Sequence, residues 1–214
     1  MTEYGKWRSL IDGASVIPDS DIAQFEQGSL DSSFGSTSDW AVESSTPELT
    51  GTYTLHSKVN NPETILSTDG SLRYVEQDQR SACYVYSDTG GKTGSSWAGL
   101  SFGGQDTDNF YYVANLPSSN EIVVGKYENA SLDDNRAAVS TSFDTWYDLE
   151  FDWLSDGTIE VRIFEVDSNG DRTSSSLGSS TYSDSTWSSG GIGFQVFASA
   201  GRPSYDNWRV LEVL

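Results

Sequence analysis

The sequence predicts an all-β protein folded as a two-sheet antiparallel jelly-roll sandwich. Short runs in which apolar and polar residues alternate predict half-buried strands, and clusters of Gly, Ser, Asp and Asn between them predict turns. No long segment repeats apolar residues with the 3.6-residue period of an amphipathic helix. The chain of 214 residues has room for about ten to thirteen such strands, and sandwiches of about 200 to 250 residues commonly form one domain.

The clearest strand pair lies in the second half of the chain. Residues 146–154 alternate, with Tyr147 and Leu149 on one face and Asp148 on the other. The turn Asp156-Gly157 leads into a second alternating run, which completes a typical β-hairpin pattern. The polar segment 173–185 is predicted to connect strands. Besides 146–154, the predicted strands are residues 71–75, 81–86, 97–102, 109–116, 121–128, 137–143, 158–166, 191–198 and 205–213.

The charge of the chain excludes several partners. It carries 32 Asp and Glu against 12 Lys and Arg, a net charge of −20 with a pI near 4.1. A surface with this charge repels phosphates, which argues against nucleic acid and anionic membranes. No run approaches the about 18 apolar residues that span a bilayer. Residues 1–20 lack the apolar stretch of a secretory signal, so we expect neither a signal peptide nor membrane insertion.

The proportions of charged and hydroxyl residues indicate a salt-rich environment. Asp outnumbers Glu by 20 to 12, Arg outnumbers Lys by 8 to 4, and Ser and Thr together supply 53 residues. Such a chain repels itself, and salt near 1 M relieves the repulsion by shortening the Debye length to about 3 Å. The composition resembles that of proteins from extreme halophiles. The alternative is an acidic extracellular domain of a mesophile.

The chain holds one cysteine and one histidine, Cys83 and His56. Cys83 cannot form an internal disulfide and lies in an apolar run, which predicts a buried, reduced thiol. A catalytic thiol would need a histidine partner, and we expect His56 to be an ordinary surface or edge residue. No Cys and His set for zinc exists.

Residues 1–24 differ in character from the rest. Trp7, Leu10 and Ile11 give this segment apolar content, but Gly13 and Pro18 interrupt any long element. We expect an N-terminal arm at 1–24, followed by a single jelly-roll domain at 25–214. The arm is open to three interpretations: an added edge strand, a short helix, or a segment that docks on a neighbouring subunit.

Short segments rich in aromatic residues and glycine recur in a characteristic order. They are FEQGSL at 25–30, TDGSL at 68–72, WAGLSFG at 97–103, DNFYY at 108–112, TWYDL at 145–149, DGTI at 156–159, GGIGF at 190–194 and YDNWRV at 205–210. From about residue 25 to the C-terminus, their order and spacing resemble concanavalin A-like, laminin-G-type jelly rolls. That superfamily includes lectins, adhesive modules, glycoside hydrolases and polysaccharide lyases, so the resemblance implies a fold without choosing a function.

The resemblance also offers a test for hydrolysis. Glycosidases cleave with a pair of carboxyl groups, and the hydrolases of this fold carry a Glu-x-Asp-x-x-Glu pattern. Here Glu150-Phe151-Asp152 supplies the first two acids, but Ser155 occupies the third position. We therefore predict no catalytic residues, and we interpret Asp148, Glu150 and Asp152 as a solvated acidic strand face.

The resemblance implies one possible cofactor, a structural calcium ion shared by an early and a late acid. The matching positions are Glu26 and Asp206. Carboxylate and carbonyl oxygens are the ligands that calcium prefers. The alternative is that Asp206 caps a turn and Glu26 is plain surface.

A glycan site would combine an exposed aromatic ring with planar polar groups for the hydroxyls. The candidates for such a site are Tyr84, Tyr111, Arg136, Arg162 and Trp187. Most Trp and Tyr residues must nevertheless lie in the core, since large aliphatic residues are too few to fill a sandwich.

These observations favour a non-catalytic, lectin-like or adhesive module of a halophilic surface assembly. We expect a virion component, such as a head decoration, turret or tail fibre, that contacts host surface glycans. Its location would be the virion or the extracellular surface, and its residues 1–24 would mediate self-association or contact other assembly proteins. The alternatives are a polysaccharide-active enzyme with a divergent site and a decoration subunit without any ligand.

Overall fold

The computed structural model of the protein describes residues 21–23, 25, 28–29, 34, 38–44, 49, 51–58, 65–66, 74–88, 97–195 and 203–214. This part of the chain contains fifteen β-strands in two antiparallel sheets, which confirms the predicted all-β sandwich. None of it forms a helix long and apolar enough to span a membrane. Of the predicted arm, only 21–23 lies within the described residues.

The strands are β1 (Asp21–Ala23), β2 (Trp40–Glu43), β3 (Thr54–Ser57), β4 (Ile65–Leu66), β5 (Tyr74–Glu76), β6 (Gln79–Ser87), β7 (Ala98–Asp106), β8 (Asn109–Leu116), β9 (Glu121–Glu128), β10 (Ser131–Ala138), β11 (Trp146–Trp153), β12 (Thr158–Glu165), β13 (Gly178–Ser183), β14 (Ser189–Gln195) and β15 (Pro203–Val213). Sheet A has the order β13-β12-β11-β6-β15-β3-β2, with β1 also on β15. Sheet B has the order β10-β9-β8-β7-β14-β4, with β5 also on β14.

Two edge strands differ from the prediction. β10 ends at Ala138, so the strand predicted at 137–143 is wrong, and β13 lies inside the predicted connection 173–185. Both strands are polar, and each pairs along its length with one neighbour, β9 or β12. β10 is mostly exposed, and the two buried residues of β13 are Ser180 and Tyr182, so neither sequence alternates apolar and polar residues. In contrast, β8 and β9 have the predicted bounds.

Aromatic side chains from both sheets fill the space between them. The ring of Phe102 in β7 stacks on that of Phe151 in β11, with centroids 4.1 Å apart. Trp153 meets Phe102 edge-on at 5.4 Å, and Trp208 meets Phe194 edge-on at 5.6 Å. All five side chains are fully buried. Because each ring buries a large area, a chain poor in aliphatic residues can still form a dense core.

Cys83 lies in this core as a free, buried thiol, as the sequence predicts. Burial raises the pKa of the thiol well above its ordinary value, although the nearby charge of Arg209 opposes the shift. The sulfur therefore stays protonated, and a protonated thiol is a poor nucleophile.

Sheet B also buries apolar residues on its outer face. In β8, Tyr111 and Val113 point into the main core, whereas Phe110 and Tyr112 belong to a second buried cluster. Successive side chains of a strand point to opposite faces, so this second cluster lies on the side of sheet B away from sheet A. Trp97 is a member of the same cluster.

At Gly190 the backbones of β14 and β7 lie too close together for a side chain. A Cβ atom on Gly190 would lie 2.3 Å from the carbonyl carbon of Gly103. Gly103 has a φ of +59°, a conformation that favours glycine, and it lies where the pairing of β7 with β8 shifts register. The two glycines therefore permit the irregularity that brings β7 and β14 together.

We expect Gly190→Ala to lower the free energy of unfolding by about 1 to 3 kcal/mol, because the added methyl group must displace backbone atoms of β7. Urea denaturation followed by circular dichroism measures the change. Gly178→Ala is the matched control, since its new methyl group would meet a Val139 side-chain carbon at 3.2 Å, which moves more easily. Equal losses in the two variants would contradict the backbone explanation.

Candidate functional site

Three carboxylates follow one another on the face of sheet A that points away from the core. Asp148, Glu150 and Asp152 of β11 alternate with the core residues Leu149 and Phe151. The three acidic residues are only 1%, 5% and 5% exposed. The prediction of a solvated acidic face is therefore wrong, because arginines from other elements cover and neutralise the carboxylates.

Strand pairing brings three of these arginines to the carboxylates. Arg162 of β12 lies directly opposite Glu150, and Arg80 of β6 lies directly opposite Asp152. Directly opposed residues have Cβ atoms about 4.5 to 5.5 Å apart, well within the reach of an arginine side chain. Arg209 of β15 joins them just beyond an irregularity in the pairing of β15 with β6.

One end of the site is built around Asp152. The Nη2 atom of Arg162 lies 2.7 Å from Asp152 Oδ2 and 2.9 Å from Glu150 Oε1. Arg80 donates a hydrogen bond from Nη2 to Asp152 Oδ2 at 2.9 Å, and its Nε bonds the other oxygen. Asp152 is thus shared by two guanidinium groups.

The other end is built around Asp148. Arg172, in the loop after β12, donates from Nε to Asp148 Oδ2 at 2.8 Å and from Nη2 to Glu150 Oε2 at 2.7 Å. The Nη2 atom of Arg209 lies 2.7 Å from Asp148 Oδ1. We call these seven residues the arginine–carboxylate ladder: Asp148, Glu150, Asp152, Arg80, Arg162, Arg172 and Arg209.

Aromatic rings orient two of the guanidinium groups. The guanidinium carbon of Arg209 lies 4.2 Å from the ring centroid of Tyr84, and that of Arg172 lies 3.7 Å from the ring centroid of Phe164. Each such cation–π contact stabilises the protein by about 0.5 to 2 kcal/mol. The Tyr84 hydroxyl also donates to the carbonyl of Gly170 at 3.0 Å, which ties the turn before Arg172 to sheet A.

The ladder favours the charged forms of Asp152 and Arg209. Burial by itself would raise the pKa of Asp152, but hydrogen bonds from Arg80 and Arg162 bring that pKa below its ordinary value of 3.8. Burial likewise disfavours the charged form of Arg209, yet the negative charge of Asp148 raises the pKa of Arg209 above its ordinary value. Buried ions of this kind persist only when each one is paired and hydrogen-bonded.

The residues predicted to bind glycans lie in three separate places. Tyr84 and Arg162 both lie on the ladder face. Arg136 lies on the outer face of sheet B, where its guanidinium carbon is 5.4 Å from the ring centroid of Trp97. Arg136 is also paired with Asp134 at 3.0 Å.

Tyr111 and Trp187 occupy the third place, beside β13. Tyr111 is fully buried, and its hydroxyl donates to the carboxylate of Asp184. A ring that is fully buried does not support the prediction of Tyr111 as a glycan contact. The ring of Trp187 packs 5.0 Å from that of Tyr111, and the Trp187 backbone N–H donates to the Tyr111 hydroxyl at 3.1 Å.

The proposed calcium pair stays a prediction. Glu26 lies outside the described residues, and Asp206 is a buried residue of β15 paired with Tyr84 of β6. Across the described ranges, no group of three or more Asp, Glu, His or Cys residues is arranged to hold a metal ion.

Sequence reasoning missed three members of the ladder. Arg80 lies one residue before the predicted strand 81–86, whereas the observed strand β6 begins at Gln79 and places Arg80 on the same face as Tyr84. Arg172 lies in a loop, and Arg209 lies beyond a register irregularity. No local pattern connects these two residues with β11.

Structure comparison finds proteins with the same fold at low sequence identity. The carbohydrate-binding module CBM66 from Bacillus subtilis matches with a TM-score of 0.55 and 12% identity, over 80% of this chain and 95% of the other. A mixed linkage glucan PUL GH16 from Bacteroides ovatus, in complex with a G4G4G3G product, matches with a TM-score of 0.55 and 9% identity, over 82% and 86%. A functionally unknown protein from Saccharomyces cerevisiae matches with a TM-score of 0.53 and 10% identity, over 90% and 100%. The sequence matches no family model and no curated protein.

We expect Asp152→Asn to destabilise the protein by about 3 kcal/mol at pH 7, because the change leaves two guanidinium groups without their shared charge. The folded-state pKa of Asp152 is lowered, so its stabilising effect is complete above about pH 4 and is lost as the pH falls through the lowered pKa. The variant should therefore lose less stability than the wild type between about pH 4 and pH 2. Urea denaturation across this pH range measures the difference.

Asp108→Asn, an identical change at an exposed turn outside the ladder, is the control for this experiment. It should leave stability at pH 7 and its acid dependence close to those of the wild type. A wild-type acid dependence retained in Asp152→Asn would contradict the assigned role.

Proposed function

We propose that the protein is a non-catalytic carbohydrate-binding module whose binding face is the arginine–carboxylate ladder on sheet A. The observation that carries this proposal is the concentration of four of the eight arginines of the chain on one sheet face. Such a face presents rigidly held, planar hydrogen-bonding groups of the kind that fix the orientation of a polar ligand.

The exposed parts of the ladder fit saccharide hydroxyl groups. The side chains of Arg80 and Arg172 are 30% and 33% exposed, and their other contacts hold them in one orientation. A bound hydroxyl can accept a hydrogen bond from a guanidinium N–H. Two proteins that share the fold, the carbohydrate-binding module and the GH16 protein in complex with a saccharide product, add support.

The state of the carboxylates supports binding rather than catalysis. A general acid for glycoside cleavage works best with a pKa near the operating pH. The hydrogen bonds from Arg80 and Arg162 instead hold the pKa of Asp152 below its ordinary value. Glu150 is paired with three guanidinium groups, from Arg80, Arg162 and Arg172.

The narrower setting that we propose is a surface assembly of a salt-adapted organism or of its virus, such as a virion decoration, turret or tail fibre that contacts host glycans. Support for this setting is compositional, namely the net charge of −20 and the excess of Asp over Glu. A dense carboxylate surface stays hydrated in concentrated salt, which also screens its self-repulsion.

A glycan array probed in 1 M KCl tests the binding function. We expect the wild type to retain at least one class of saccharide, and Arg172→Gln to weaken that binding about tenfold or more, because a hydrogen bond from a charged donor is lost. Arg136→Gln is the matched control on the opposite sheet and should bind like the wild type. Thermal melts of both variants verify that they are folded.

The same protein preparations test the alternative function, that of a polysaccharide-active enzyme. Reducing-end and unsaturated-uronate assays on the saccharides that bind should detect no turnover. Turnover that disappears in Glu150→Gln would show an enzyme instead. Loss of array binding in Arg136→Gln but not in Arg172→Gln would move the site away from the ladder.

We expect the melting temperature to rise by about 5 °C or more between 0.1 and 2 M KCl at pH 7, which corresponds to about 2 kcal/mol for a domain of this size. The physical reason is screening of the repulsion within a chain of charge −20. Repeating the melts near pH 4.1, the calculated isoelectric point, provides the control, since little net charge then remains to screen. A melting temperature independent of salt at pH 7 would contradict salt adaptation.

A further inference from the structure

The charges of the ladder are arranged in two layers. The carboxylate side chains of Asp148, Glu150 and Asp152 are 2%, 6% and 8% exposed. Two of the arginine side chains above them, Arg80 and Arg172, are 30% and 33% exposed. A ligand approaching this face therefore meets guanidinium N–H groups, while the acids lie beneath them.

Arg172 is held with one edge turned away from the acids. Its Nε and Nη2 atoms donate to Asp148 and Glu150, and its guanidinium plane lies against the ring of Phe164. Within the described residues, its Nη1 atom makes no hydrogen bond or ion pair. The guanidinium is thus oriented before any ligand arrives, which reduces the entropy that binding would cost.

The ladder is a local exception to the acidity of the chain. Four guanidinium groups face the three ladder carboxylates, and two further acids lie on the same sheet face: Glu160, 3.3 Å from Arg162 Nη1, and Asp206, directly opposite Tyr84. The chain as a whole carries −20. An anionic group that is repelled elsewhere on the surface therefore meets exposed guanidinium groups on this face, with the three ladder acids buried beneath them.

Aromatic stacking is restricted on this face. Tyr84 and Trp146 are each 8% exposed, and the partly buried Tyr86 packs 5.3 Å from Trp146 within the same small apolar cluster. The face of Phe164 that contacts Arg172 is occupied by the guanidinium. Recognition on the ladder therefore depends on charge and hydrogen bonds more than on stacking of a sugar ring.

From this layering we infer that the preferred ligand is an acidic saccharide that carries a carboxylate, as uronic and sialic acids do; the inference rests on the proposed carbohydrate-binding function. The guanidinium of Arg172 binds the ligand carboxylate through the edge that its contacts with Asp148 and Glu150 leave open. A guanidinium matches a carboxylate in both charge and planar geometry, and such charge-assisted hydrogen bonds are about twice as strong as neutral ones.

High salt favours detection of this interaction. At low ionic strength the long-range field of a chain with charge −20 repels an anionic saccharide. At 1 M salt the Debye length falls to about 3 Å, so that only groups in contact with the ligand still act on it. We therefore choose 1 M KCl as the binding condition.

Isothermal titration calorimetry with two matched ligand pairs tests the inference. One pair is an oligogalacturonate and its methyl ester, and the other is sialyllactose and lactose. We expect the acidic member of at least one pair to bind about ten to a hundred times more tightly than its neutral partner. The pair that shows this difference identifies the source of the carboxylate.

Variants assign the effect to the ladder. Arg172→Gln should reduce the affinity for the acidic member to that of its neutral partner, and Arg172→Lys, which keeps the charge but loses the planar donor geometry, should have an intermediate affinity. Arg136→Gln should leave the preference unchanged. A preference for the acidic member that persists in Arg172→Gln would overturn the inference, with melting curves confirming that each variant is folded.

The remaining outcomes separate the two proposals. Equal affinity within both pairs, or array binding confined to neutral or sulfated saccharides, overturns the preference for carboxylates and leaves saccharide binding intact. The absence of any saccharide ligand on the array and in calorimetry overturns the proposed function, and this inference with it.

Discussion

The three carboxylates of β11 are buried on a sheet face, and they depend on guanidinium groups from several other elements. Arg80 comes from β6, Arg162 from β12, and Arg209 from β15. A carboxylate without these partners would pay a large desolvation penalty, and a guanidinium without its carboxylate would do the same. The ladder therefore couples the central strands of sheet A: the face is stable only when all of them pair in the observed register.

The opposite face of sheet A is held by a different interaction. Rings such as Phe151 and Trp153 alternate with the ladder acids along β11 and pack against Phe102 of sheet B. One strand thus carries both the hydrophobic core and the charged site. A shift of its register by one residue would move the acids into the core and the rings into the ladder, which makes the register strongly specified.

This arrangement connects stability with the proposed function. The hydrogen bonds that neutralise the buried acids also fix the arginines, and rings such as Phe164 restrict them further. A binding face assembled in this way needs little reorganisation when a ligand arrives. In a chain with such an excess of acid, it also provides a place where guanidinium groups reach the surface in one cluster.

The sequence by itself determined the fold class, the central strands and the face on which Asp148, Glu150 and Asp152 lie, because strand alternation is a local property that a buried sheet imposes on its residues. It could not reveal the edge strands β10 and β13, because β10 is mostly exposed and the buried residues of β13 are a serine and a tyrosine, so neither sequence alternates apolar and polar residues. Nor could it show that the three acids are buried. Whether a carboxylate is solvated or paired depends on which strands lie beside it, and the neighbours of β11 are separated from it by up to some sixty residues of chain. Only the tertiary structure decides that, since it alone sets the distances over which charges interact.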